Sequence, residues 1–203
     1  MKEKHVIGSK RNIGLVVCLT LFSAILSLIV FGVFAYNIMN GYNDRMSLSF
    51  LLISIIICIF LGFTKFVTII HELSHKKTAD FYNHKAEVIL DKKRLEQIKK
   101  ETKRSCRGYC QFNDGDEFRK HEFIRIAIAP FCILLLLIVI SIFLFFINYA
   151  KDVAFPFSLL ILFKLPGCLN DLQMILDVKR NYNEGDIIKY SAQKYQFMLH
   201  KAN

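Results

Sequence analysis

No glycine-rich phosphate loop, internal repeat or low-complexity tract occurs in the 203 residues. Their absence removes P-loop nucleotide chemistry, stacked-repeat architectures and a disordered scaffold from consideration. Nor do the six cysteines form a disulfide framework. Cys18, Cys58, Cys132 and Cys168 lie inside apolar runs, and Cys106 and Cys110 lie in a basic segment expected to face a reducing cytoplasm. All six read as small hydrophobes or free thiols. The apolar run after Lys2, Lys4, Lys10 and Arg11 lacks a small-x-small cleavage site. It is also longer than the roughly 7–15 residues of a signal core, so it is expected to stay in the protein as a helix.

What the chain has is apolar and basic at once: 54% hydrophobic residues and a formal net charge of +10. The two must be segregated along the sequence, which is the pattern of a multi-spanning membrane protein. Four windows, 13–36, 48–70, 126–147 and 153–176, reach the roughly 20 apolar residues that cross a hydrocarbon core. The fourth is interrupted by Lys164, Pro166, Gly167, Asn170 and Asp171. The expected fold class is therefore all-α. It is a single membrane domain over 1–203, an integral bundle of four transmembrane helices with a mixed cytoplasmic loop at 76–125 and a cytoplasmic tail at 177–203.

Charge gives the expected orientation. Residues 76–125 hold 14 Lys or Arg against 9 Asp or Glu, while the connections at 37–47 and 148–152 hold one basic residue each, Arg45 and Lys151. Basic residues mark the cytoplasmic side, so the expected localisation is the cell membrane, multi-pass, with both termini cytoplasmic and the lipid bilayer as partner. Basic residues that flank membrane helices serve topology and anionic lipid, and no nucleic-acid partner is expected. Within the loop, "HKAEVILD" alternates like a strand, "KKRLEQIKKETKRS" reads as a charged helix, and "GYCQFNDGDEF" is rich in turn residues.

The chemistry-bearing stretch is "FVTIIHELSHKKTADF", residues 66–81. On a helix, His71 and His75 lie one turn apart on one face and can meet a single Zn²⁺ ion. Glu72, about 100° round, is placed to act as general base on a water that the metal activates. Thr64 and Thr68 continue the face upstream, a polar stripe that has to point into a bundle or a wet cavity. The competing reading is a polar helix end at the membrane interface, anchored by Lys76 and Lys77. A third ligand is expected late in the fourth apolar window, at the same depth as His71, and Asp171 stands there within "LPGCLNDL". The alternatives are an Asp171 that caps a helix restarting after Pro166 and Gly167, and Cys168 as rival ligand. Asn170 is a candidate for supporting the metal or binding substrate. Lys164 is a candidate for binding a substrate carboxylate or an oxyanion, against plain snorkelling to the headgroups.

"HELSH" ending the second helix, "YCQF" in the loop, Pro130 early in the third helix and an aspartate in a small-residue segment of the fourth resemble a bacterial family of membrane zincin peptidases. That family is catalogued as a domain of unknown function. The resemblance covers most of the chain, and its specific element is the His-Glu-x-x-His. It implies His71, His75 and Asp171 as zinc ligands and Glu72 as the catalytic acid and base. Site-2 proteases are a more distant likeness. Pro166 stands five before Asp171 as in their second motif, but Leu172 replaces the glycine expected after the aspartate, and Phe163 stands where an asparagine is expected. The expected function is a membrane-embedded zinc metallopeptidase that cleaves a membrane or juxtamembrane peptide substrate near the cytoplasmic face. The alternative is a non-catalytic metal-binding or regulatory scaffold.

Overall fold

In a computed structural model of the chain, residues 4–8, 66–102, 108–144 and 165–201 are described, with parts of 13–32 and 52–56 and residues 147 and 158. The chain divides into two compact units, one of residues 1–12, 68–130 and 170–203, the other of residues 13–67 and 131–169. In order, the elements are β1 (Lys4–Val6), α1 (Phe66–Phe81), β2 (Ala86–Ile89), α2 (Lys92–Thr102), β3 (Tyr109–Phe112), β4 (Glu117–Phe118) and α3 (Lys120–Leu144). A 3-10 turn (Leu165–Cys168), α4 (Leu169–Asn181), β5 (Ile187–Ser191) and β6 (Gln196–His200) follow.

The expected all-α bundle of four membrane helices is overturned. The strands form two antiparallel sheets, one in the order β1-β6-β5-β4 and one of β2 and β3. Among the described residues one helix, Lys120–Leu144, is long and apolar enough to cross a membrane. The window 48–70 falls largely, and the windows 13–36 and 153–176 partly, outside the described residues. Where they can be compared, their boundaries differ from the helices. α1 runs unbroken through residue 70, so His-Glu-x-x-His is mid-helix rather than terminal. The fourth window is broken by the 3-10 turn, after which α4 starts at Leu169 and continues past 176. The strands escaped the apolar windows because each is at most five residues long, amphipathic, and set in charged sequence.

Local chemistry accounts for these elements. β3 alternates half-buried Tyr109 and Gln111 with buried Cys110 and Phe112, and pairs with β2 from Ala86↔Phe112 to Ile89↔Tyr109. α1 ends where Asn83 takes a left-handed φ of 63° and the His84 amide donates to the Ala79 carbonyl at 3.0 Å, a common helix stop. At the start of α3 the Arg119 amide donates to Glu122 Oε2 at 2.8 Å, half of a capping box. Two related turns, Asn113–Asp116 and Asn183–Asp186, launch β4 and β5. Each has a glycine at positive φ, Gly115 at 82° and Gly185 at 90°, and an Asp amide bonded to the Asn carbonyl at 3.2 Å.

The core of the first unit joins these pieces. Ala79 of α1, Phe112 of β3, Phe118 of β4, Phe123 of α3, Val178 of α4 and Ile188, Tyr190 and Leu199 of the last hairpin are buried together. Phe118 is central, its ring edge-on to Phe112 at 5.2 Å and to Phe197 at 5.5 Å, arrangements that add to area burial. The N-terminal strand is held twice. Lys4↔His200 through Val6↔Met198 pair in the sheet, and the Gly8 amide donates to Asp177 Oδ2 at 2.6 Å. The segment read as a cytoplasmic tail is thus half of a sheet. Phe118→Ala removes a ring that the rest of the core cannot fill. It is expected to destabilise the protein by about 3–5 kcal/mol, whereas Phe81→Ala, at a residue 78% exposed, leaves the thermal midpoint near wild type when both are followed by near-UV circular dichroism.

Candidate metal centre

Three donors converge in the first unit. α1 presents His71 and His75, with ring centroids 5.0 Å apart and planes at 83°. The first turn of α4 presents Asp171, which is buried. Asp171 Oδ2 lies 3.1 Å from His71 Nε2 and 3.5 Å from His75 Nε2. All three ligand atoms lie within 4.8 Å of one another. Neither nitrogen contact has hydrogen-bond geometry, so Asp171 Oδ2 is a buried oxygen without a hydrogen-bond partner. Such an atom is costly unless something else satisfies it.

A cation fits that description. Ligand bonds of about 2.0–2.2 Å in a tetrahedron put donor atoms about 3.3 Å apart; the two carboxylate–imidazole separations bracket this value, and the widest separation in the cluster is within 4.8 Å. Two imidazoles and one carboxylate suit zinc and leave a fourth position for water or substrate. The His75 ring is also prepared for it. Its Nδ1 donates to the Ile126 carbonyl of α3 at 2.8 Å, which leaves Nε2 as the nitrogen that offers a lone pair once its proton is displaced. The capping alternative for Asp171 loses ground, because the residue stands inside the first turn of α4 rather than ahead of it.

Glu72 follows His71 and is 7% exposed. Burial raises its pKa above the ordinary carboxylate value, against the pull of His75 and His71, and the backbone amide of Cys110 in β3 bonds to it. That contact depends on Gly108. A Cβ there would lie 2.8 Å from Thr68 Cγ2 and 2.9 Å from Glu72 Cγ, so only glycine lets β3 approach α1 this closely. The sequence gives no warning of Gly108, the Cys110 amide or the Ile126 carbonyl as parts of the site. The one available signal is a glycine directly ahead of an alternating four-residue stretch.

Of the other expected residues, none of those described is among the three donors. Asn170 is exposed. Cys168 is buried but is not one of the converging donors. Lys164 and Thr64 lie outside the described residues. No family model, curated protein or solved structure matches this chain. The resemblance to membrane zincins therefore rests on its own residues.

Two outcomes follow from the geometry. Asp171→Ala is expected to lose zinc affinity about as severely as His75→Ala, while Cys168→Ala keeps it, as measured by chelator competition. The second concerns pH. Burial disfavours a charged His75, but the Asp171 carboxylate outweighs it and the pKa of the metal-free ring is pushed up to about 9. An ion bound at Nε2 has to displace that proton. Zinc affinity is therefore expected to fall by about tenfold for each pH unit below about 9 and to level off above it. The same titration in His75→Ala loses this slope.

Proposed function

We propose that the chain is a zinc metallopeptidase of the cell membrane that hydrolyses a peptide bond close to the membrane surface. The observation that carries the reading is the convergence of His71 Nε2, His75 Nε2 and Asp171 Oδ2, with buried Glu72 on the same helix. Zinc held by the three ligands would supply a Lewis acid that polarises a carbonyl and acidifies a water. Glu72 takes a proton from water as the water oxygen bonds to the carbonyl carbon, and passes it to the nitrogen as the C–N bond breaks. Burial raises the proton affinity of Glu72, which favours its taking up a proton. The Cys110 amide holds the carboxylate in place, so the base is oriented before substrate arrives.

The membrane part of the reading rests on α3. After Arg125 its sequence is apolar to Leu144, and Leu136, Val139 and Phe143 are 58%, 61% and 68% exposed. Lipid accommodates such side chains where water does not. From Ile126 to Leu144 the helix rises about 27 Å, close to the roughly 30 Å of a hydrocarbon core. Ile126, whose carbonyl holds His75, is then at one boundary of that core. The metal centre belongs at the membrane surface, where water and a juxtamembrane peptide both reach it. β1, β4, β5 and β6 share one sheet, which supports a reading with the N-terminal arm, the 76–125 segment and the C-terminal strands on one side. Their basic residues favour the cytoplasm.

Glu72→Gln separates this enzyme from a metal-binding scaffold. The variant is expected to hold zinc like the wild type and to lose cleavage by about 10²–10⁴-fold. The readout is new N-termini of membrane proteins in cells expressing either form. Identical fragment patterns from the two would end the peptidase reading in favour of the scaffold.

A further inference from the structure

α3 contains a proline, Pro130, and it is almost fully buried. In an α-helix the amide of residue 130 would donate to the carbonyl of residue 126. Proline has no amide hydrogen, and its ring presses against that same carbonyl. The carbonyl of residue 126 is the one that accepts from His75 Nδ1 at 2.8 Å. The missing donor in α3 and the external donor from α1 therefore meet at one oxygen. Good packing explains a buried side chain at 130, but it does not explain an imino acid in register with the acceptor for a metal-ligand histidine.

We propose that Pro130 is a positioning residue for the metal centre: it withdraws the intrahelical donor from the Ile126 carbonyl and so reserves that oxygen for His75 Nδ1–H. The His75 ring is then held in one orientation and one tautomer, with Nε2 turned toward Asp171. An alanine at 130 would restore an amide that competes for the oxygen along the helix axis. The inference rests on the metal-site part of the proposed function and is independent of what the site cleaves.

Zinc binding to the full-length protein in lipid nanodiscs, by chelator competition, tests it with three chains. Pro130→Ala is expected to lose about 10–100-fold in zinc affinity, the usual effect of removing a partner that orients a ligand, with near-UV circular dichroism unchanged. The third chain carries L-lactic acid at 130, the ester counterpart of alanine, which lacks both the ring and the amide hydrogen. It is expected to regain affinity to within about threefold of wild type. A purely packing or kinking role predicts that alanine and its ester bind equally, strongly or weakly, and either result overturns the proposal. So does a ¹⁵N spectrum of metal-loaded protein in which the His75 Nδ1–H signal is the same in wild type and Pro130→Ala. Wild-type protein that takes up no stoichiometric zinc overturns both this inference and the metal reading beneath it. Zinc uptake by the wild type together with normal uptake by Pro130→Ala overturns only the positioning role.

Discussion

A carboxylate oxygen buried within 3.5 Å of two imidazole nitrogens is the constraint around which the first unit is arranged. Isolated in an apolar interior, such a group would cost several kcal/mol. It is tolerable where a cation completes it, and each contact around it serves that end. α1 supplies both rings from one face, the first turn of α4 supplies the oxygen, and α3 supplies the carbonyl that keeps one ring from rotating. The positive end of the α4 dipole lies beside Asp171 and favours its ionised form.

The sheets hold this arrangement without contributing a ligand. β3 runs beside α1 and offers the Cys110 amide to Glu72, while its inward Phe112 joins Phe118 and Phe197 in the aromatic core. The residue that bonds Glu72 and a residue of the aromatic core are thus two apart on one strand. β5 and β6 cover the same core from the far end of the sequence, with Ile188, Tyr190 and Leu199 fully buried. Tyr109 extends this connection. Its hydroxyl donates to the Tyr195 carbonyl at 2.8 Å and lies 3.3 Å from the Tyr190 hydroxyl. Burial raises the pKa of both phenols, which keeps them neutral partners.

The sequence displays the site more clearly than the scaffold. His71, Glu72 and His75 are legible because a helix turns a spacing of four into a shared face. Asp171 follows from an argument about helix depth. That argument assumes a four-helix bundle, which the sheets overturn, yet Asp171 does lie with the two histidines. A buried acidic residue in an apolar segment has few other uses, so the residue type carried more information than the topology. β2 was legible in the alternation of "HKAEVILD", and the strands of the other sheet stayed hidden for a physical reason. β1 and β4 are three and two residues long and are stable only through partners near the other end of the chain. Such pairing leaves no local periodicity to read. Gly108 and Ile126 were invisible because each acts through space it leaves empty or through a backbone atom, which no side-chain pattern encodes.

The pairing of Lys4 with His200 also sets an order of events during synthesis. The first strand has no partner until the sixth has left the ribosome, so this sheet cannot close in the order in which its strands are made. The ligands obey the same schedule. His71 and His75 emerge a hundred residues before Asp171, and a nascent chain offers a metal two imidazoles without the carboxylate. The full donor set arrives late, after α3 has been made.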